Sequence, residues 1–280
     1  MKILRMPAFI VFFVAGLQCY AETDQTVLIK AAMDGNVAAV KSLIGQGYDI
    51  NLGIKGGWTP LIAAAQNGRL EVVKILLDRG ADLGAKSEQG STALSVAARS
   101  GKTEIVKLFL EKGANVETRD ANHMTPLMGA CYNGHMDTVE ILIANKANIH
   151  AEDDIGVTPF MYASRGGRKS VMNYLIGKGA QVNIIDKVEY TALMYAADSK
   201  KEDVVRELIK GGADPNLRGG ERRTPLMIAA QGGNVEIVKT LLAAGANVDL
   251  TSDLVTALSL AKFYKHGEIT ALLQKAGATK

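Results

Sequence analysis

The 280-residue chain is poor in the residues that usually announce chemistry or cross-links. It has two cysteines, Cys19 and Cys131, and four histidines. No C-x-x-C, H-E-x-x-H, G-x-S-x-G or Walker glycine loop occurs, which leaves dithiol redox work, zinc peptidase action, serine hydrolysis and P-loop nucleotide binding without their motifs. Aromatics make up 5% of the residues and tryptophan occurs once, at Trp58. Any core must therefore be built from Ala, Leu, Ile and Val, which the 48% hydrophobic share supplies. No stretch approaches the ~20 apolar residues that a membrane-spanning helix needs.

The longest apolar run, Met6 to Leu17, is twelve residues and stands at the N-terminus behind Lys2 and Arg5. Cys19 and Ala21 then place small residues at −3 and −1 of a cut after Ala21. That is the pattern of a cleavable export signal over residues 1–21. Its removal takes away two positive charges and lowers the net charge from +3 to +1, because 30 Lys and Arg then face 29 Asp and Glu. A charge so close to zero gives no field to gather phosphate, so nucleic acid is not an expected partner. One cysteine, Cys131, would remain, and the exported chain would be held by packing without a disulfide. None of the thirteen asparagines stands in an N-x-S/T sequon, in keeping with a periplasmic or secreted bacterial protein.

What the chain does have is repetition. Thr-Pro-Leu or a near relative begins at Thr59, Thr92, Thr125, Thr158, Thr191, Thr224 and Thr256, in steps of 33 with a final step of 32. Stepping back 33 reaches Thr26, which gives eight copies over residues 22–280. With Thr as position one, position three is Leu in seven copies and Phe160 in the eighth. Position six is alanine throughout, at Ala31, Ala64, Ala97, Ala130, Ala163, Ala196, Ala229 and Ala261, which predicts a close helix–helix contact. Position ten is glycine in six copies, where a short helix would end on a positive φ, and is Lys200 or Lys265 in the other two. A second helix follows, as in Leu70 to Gly80, with Val72, Val73, Leu76 and Leu77 at helical spacing. Helices of about 7 to 10 residues are too short to stand alone in water. Copy must stack on copy, and the outermost copies should carry polar residues where inner ones are apolar. Lys30 in the first copy and Lys262, Thr270 and Gln274 in the last fit that rule.

These columns resemble the ankyrin-repeat family, and Gly57 to Leu83, GWTPLIAAAQNGRLEVVKILLDRGADL, matches the family pattern almost throughout. The resemblance implies an all-α repeat: a solenoid of about eight helix–turn–helix units with β-hairpin-like fingers. It also implies a concave face that binds another protein. No cofactor, metal or catalytic set is expected, nor a membrane span after signal cleavage, and the chain reads as a monomer.

Cys131 and His135 share one helical face, as a metal pair or a nucleophile with its base would. The columns favour structure instead. Cys131 falls among Ala32, Ala65, Ala98, Ala197 and Ala230; His135 falls among Asn36, Arg69, Lys102, Arg168, Lys201, Asn234 and His266. In the family that second column links a loop to the backbone. The carboxylates Glu152, Asp153 and Asp154 suggest calcium at first sight, but they occupy a hairpin column where turn hydrogen bonds favour Asp.

By the same resemblance, partner contacts come from the finger residues before each Thr and from positions eight and nine. In this chain these are Trp58, Met124, Tyr190, Arg222 and Arg223 on the fingers, and Gln66, Arg99, Tyr132, Asn133, Arg165 and Asp198 at the ends of the first helices. Trp, Tyr and Arg dominate binding hot spots. The plainer alternatives are that Trp58 covers the N-terminal end of the stack, that Tyr162 and Tyr195 at position five serve packing, and that Arg218, Arg222 and Arg223 form a solvated tip. The functional expectation is a non-enzymatic, exported protein-binding module. Alternatives are an inhibitor or immunity protein of an exported toxin or hydrolase, a helper of a periplasmic stress-defence enzyme, and a secreted host-directed effector.

Overall fold

The computed structural model describes residues 24–253 and 255–279. The expected export signal lies outside these residues. Among the described residues sixteen α-helices form eight antiparallel pairs: α1 (Asp24–Asp34) with α2 (Val37–Gly45), α3 (Pro60–Gln66) with α4 (Leu70–Asp78), α5 (Ala93–Arg99) with α6 (Thr103–Glu111), and α7 (Pro126–Asn133) with α8 (Met136–Ala144). Then come α9 (Pro159–Gly166) with α10 (Lys169–Gly177), α11 (Ala192–Asp198) with α12 (Glu202–Lys210), α13 (Pro225–Gly232) with α14 (Val235–Ala243), and α15 (Ala257–Phe263) with α16 (Gly267–Lys275). Odd helices pack beside odd helices and even beside even, so each pair meets only its neighbours in the stack.

The repeated threonine starts the first helix of each pair. From Thr59 to Thr256 the residue is extended, and its hydroxyl accepts the backbone N–H three residues on, at 3.1–3.4 Å. This satisfies one of the four N–H groups a helix start leaves open. Pro60, Pro126, Pro159 and Pro225 follow at the first helical position, where proline's missing N–H costs nothing. The first pair differs: α1 begins at Asp24, so Thr26 stands inside its first turn.

The alanine column is buried in every pair, and the Leu or Phe160 of position three is at most 2% exposed. Small side chains let the odd helices approach closely. The even helices carry Val40, Val73, Val106, Val139 and their equivalents, with Leu43, Leu76, Phe109 and Leu142, on the same core. The bulkier side holds those helices further apart, so the odd helices form the more closely packed side of the stack. Lys30, Lys262 and Gln274 are exposed and Thr270 half-buried, as end repeats require.

The fingers are turns rather than strands. Isolated bridges occur at Ile54 with Trp58 and Ser252 with Val255, and no longer strand is found among the described residues. Each finger closes on itself, for example Asp153 N–H to Val157 O at 3.2 Å and Asp186 N–H to Tyr190 O at 3.0 Å. The second to sixth fingers each also give one backbone bond to the finger before, as Asp154 N–H to Asn122 O at 3.2 Å and Lys187 N–H to Ile155 O at 2.9 Å, and the seventh gives the Ser252 hydroxyl to Glu221 O.

Two columns cooperate across each junction. The glycine of position ten has φ between +64° and +79° and is overlaid by the eleventh residue of the next repeat. In four repeats that eleventh residue reaches back to the position-eight carbonyl: Arg69 to Met33 O at 2.9 Å, His135 to Arg99 O at 3.1 Å, Arg168 to Tyr132 O at 3.0 Å and His266 to Gln231 O at 3.2 Å. Asn36 and Asn234 do otherwise. Their side chains cap their own helices, accepting from Ala39 N and Ile237 N at 3.0 Å.

Candidate functional site

The end of each odd helix presents positions eight and nine on the side of the stack that the odd helices line. Gln66, Arg99, Tyr132, Asn133 and Arg165 are half-buried there, and Asp198 is exposed. Asn133 is tied to structure, donating to Arg99 O and Gly129 O, each at 3.1 Å. Arg99 lies low in the face, where burial pulls its pKa down against the opposing pull of Asp120.

The fourth and fifth fingers, between α8 and α9 and between α10 and α11, build the densest part. Position five carries Tyr162 in α9 and Tyr195 in α11. Tyr162 donates its hydroxyl proton to Asp153 Oδ2 at 2.7 Å, and Tyr195 donates to Asp186 Oδ2 at 2.6 Å. Both aspartates are buried in the turn of their fingers, and the other oxygen of each accepts two backbone N–H groups: Ile155 and Val157 for Asp153, Val188 and Tyr190 for Asp186. Each buried carboxylate oxygen thereby has a hydrogen-bond partner. Burial first, and the aspartate bond second, push both phenol pKa values up. The rings in turn flank Arg165, whose Cζ is 4.9 Å from the Tyr195 ring centre and 5.8 Å from that of Tyr162. Tyr132 meets Tyr162 edge-on at 6.3 Å, and Tyr190 leans on Tyr195 at 5.0 Å.

The structure therefore brings Tyr132, Arg165 and Tyr190 into one patch, joined by Tyr162 and Tyr195. Position five serves packing and the face at once. Asp198 and Arg223 share a neighbouring hollow of about 250 Å³ with Lys200, Gln231 and Tyr264. Arg223 hydrogen-bonds Gln231, and Arg222 is exposed with φ +57°. Met124 is half-buried, its N–H bound to Asp120 Oδ1 at 3.0 Å. Trp58 sits in the finger before α3, half-buried against the core, two repeats from the tyrosine patch.

One pair of face residues escaped the sequence reading. Phe263 at position eight of the last repeat is 77% exposed, and Tyr264 beside it is 40% exposed. The rings meet edge-on at 5.1 Å, and Tyr264 OH accepts from Gln231 Nε2 at 3.2 Å. The signal was present: Phe263 occupies the same column as Arg99, Tyr132 and Arg165.

Cys131 is buried in the small-residue wall, and burial pushes its thiol pKa far up, away from thiolate chemistry. His135 turns its Nε2 to the Arg99 carbonyl, so the two do not form a catalytic couple. The three neighbouring carboxylates diverge: Asp153 goes to Tyr162, Asp154 pairs with His123, and Glu152 is exposed.

Residues 7–87, 83–153, 145–219 and 193–280 each match the family model described as ankyrin repeats in three copies. The crystal structure of the human ASB11 ankyrin repeat domain is similar at 30% sequence identity and a TM-score of 0.70, covering 78% of this chain and 96% of that one. No curated protein matches this chain.

Proposed function

This chain belongs to the ankyrin-repeat family, whose repeats are protein–protein interaction modules, and from that premise we propose that it is a non-enzymatic, exported binding protein. Its partner is a protein held on the concave face, with the finger tips contributing. The observation that carries this reading is the Tyr132–Tyr162–Arg165–Tyr195 patch, whose buried aspartates hold the rings in place before any partner arrives. Rigid tyrosine and arginine at the centre of a concave surface are what hot spots are made of, and preorganisation lowers the entropy that binding must overcome. Export to the periplasm or beyond rests on the residues 1–21 pattern alone.

The test is capture of partners from a periplasmic extract of the source cells, comparing the native chain with a Tyr132→Ala, Arg165→Ala double variant of unchanged circular dichroism. The partner band should be lost in the double variant. A band of equal strength would remove the concave-face claim. Sequencing the N-terminus of the protein recovered outside the cytoplasm should show a chain beginning at Glu22, and an intact N-terminus retained in the cytoplasm would remove the export claim.

A further inference from the structure

Resting on the concave-face reading above, we propose that this face receives acidic side chains of its partner protein, with Arg99 and Arg165 as the two guanidinium groups that hold them. Both stand at position eight of their repeats, two repeats apart, with Tyr132 at the same position between them. Both are half-buried. Arg69, Arg119, Arg168, Arg206 and Arg223 each donate to an oxygen of this chain. Among the described residues, neither Arg99 nor Arg165 makes an ion pair.

Arg165 is held in place without an anion. Its guanidinium lies against the two tyrosine rings, and each ring is pinned because its hydroxyl proton is already given to a buried aspartate. Contact through the ring faces leaves the N–H edges of the fork free, and a planar fork of parallel N–H groups matches a carboxylate. The aspartates beneath are covered, at 6% and 5% exposure, so a partner meets the guanidinium and not the carboxylates. Arg99 is a cation partly stripped of water, with Asp120 near enough to act through space but with that carboxylate's Oδ1 engaged by the Asn122 and Met124 N–H groups. A desolvated, unpaired cation gains more from an incoming anion than a solvated one does.

The spacing narrows the partner. Adjacent packed helices lie about 8–10 Å apart, so two repeats separate the arginines by roughly 16–20 Å. An extended chain advances about 3.3 Å per residue, so acidic residues about six positions apart would reach both on one face of the strand. A hydrophobic residue between them would cover Tyr132. Asp198 follows in the column and ends the stretch that favours acid.

The probe is a fluorescent dodecapeptide of glutamate, with its glutamine twin as the neutral comparison, read by anisotropy at low salt. The glutamate peptide should bind at least about tenfold more tightly than the glutamine one, and Arg165→Gln or Arg99→Gln should each weaken it about three- to tenfold. Arg165→Lys should weaken it too, since the charge stays and the fork and ring contact go. Lys107→Gln, an equal loss of charge on the outer helix α6, should leave it unchanged. Equal binding of the two peptides, a Lys107→Gln effect as large as that of Arg165→Gln, or full binding by Arg165→Lys would overturn the proposal. If the double variant of the capture experiment loses its partner while the glutamate peptide shows no preference, the concave-face reading stands and the acidic partner falls. If capture is undiminished in that variant, both fall.

Discussion

Lys200→Gly should make the protein more stable. Lys200 has φ +55° at the position where six other repeats carry glycine. A left-handed residue with a Cβ costs about 1–2 kcal/mol. Glycine's greater freedom in the unfolded chain returns about 0.5–1 kcal/mol of that. The lysine side chain is exposed and runs beside Gly232, so little packing is lost. The net gain is about 0.5–1 kcal/mol, worth about 1–4 °C in the midpoint of a chain this long. Urea unfolding followed by circular dichroism reads it, and a neutral or destabilising result would refute the strain. The neighbouring repeat explains why lysine survives there. A Cβ on Gly101 would come within 2.6 Å of His135 Cγ, whereas Lys200 faces Asn234, whose short side chain turns away to cap its own helix. Asn234→His should therefore be worse in the native chain than in the Lys200→Gly background, with a coupling of about 0.5–1 kcal/mol. Additive effects would show that the two columns are independent.

Tyr195→Phe leaves Asp186 Oδ2 buried without its donor and should cost about 1.5–3 kcal/mol in denaturant unfolding; a cost below about 0.5 kcal/mol would mean that water replaces the hydroxyl. The raised phenol pKa values of Tyr162 and Tyr195 make a pH prediction: their contribution is intact below the ordinary value of 10.0 and is lost as pH rises above it, because the unfolded chain releases protons that the folded chain keeps. Stability measured from about pH 8 to about pH 11 should fall less steeply in a Tyr162→Phe, Tyr195→Phe double variant, and identical slopes would contradict the assignment. Ala130→Leu forces a larger side chain into a fully buried column and should destabilise by about 1–3 kcal/mol or prevent folding, seen in thermal melts. Phe263→Ser should stay within about 0.5 kcal/mol of the native stability, since the ring is 77% exposed, and calorimetry would detect a larger change.

Architecture was legible because each architectural demand recurs, the alanine wall in eight copies, Thr capping in seven and the left-handed glycine in six. Thr capping, the alanine wall and the left-handed glycine each repeat at 33-residue spacing, and the structure places all three as the columns require. The face was legible only as columns. Position eight marks where Arg99, Tyr132 and Arg165 would stand, but nothing in the spacing says that Tyr162 and Tyr195 at position five would clasp Arg165. That contact depends on two hydroxyls reaching aspartates nine residues upstream, across the turn of a finger. Phe263 was hidden for another reason. A terminal repeat is expected to be irregular, so an exposed aromatic there reads as the end of a pattern rather than as part of the face.

Departures from the repeat are therefore best read in pairs. Lys200 breaks the glycine column where Asn234 breaks the clasping column, one residue more than a repeat away. Lys265, the other left-handed lysine, has no following helix pair among the described residues to overlay it. Tyr162 and Tyr195 take position five where Asp153 and Asp186 stand in the fingers just before them, while Gly129 holds that position behind Asp120. Lys265 apart, a residue that looks anomalous in its own copy is matched by one across a junction or a turn. The unit that selection of side chains acts on here is the interface between elements, and a thirty-three-residue copy taken alone describes only half of it. The same logic separates face from frame: Arg99 and Arg165 stand in a column that no single residue type holds, and neither makes an ion pair among the described residues, as the proposal of an acidic partner requires.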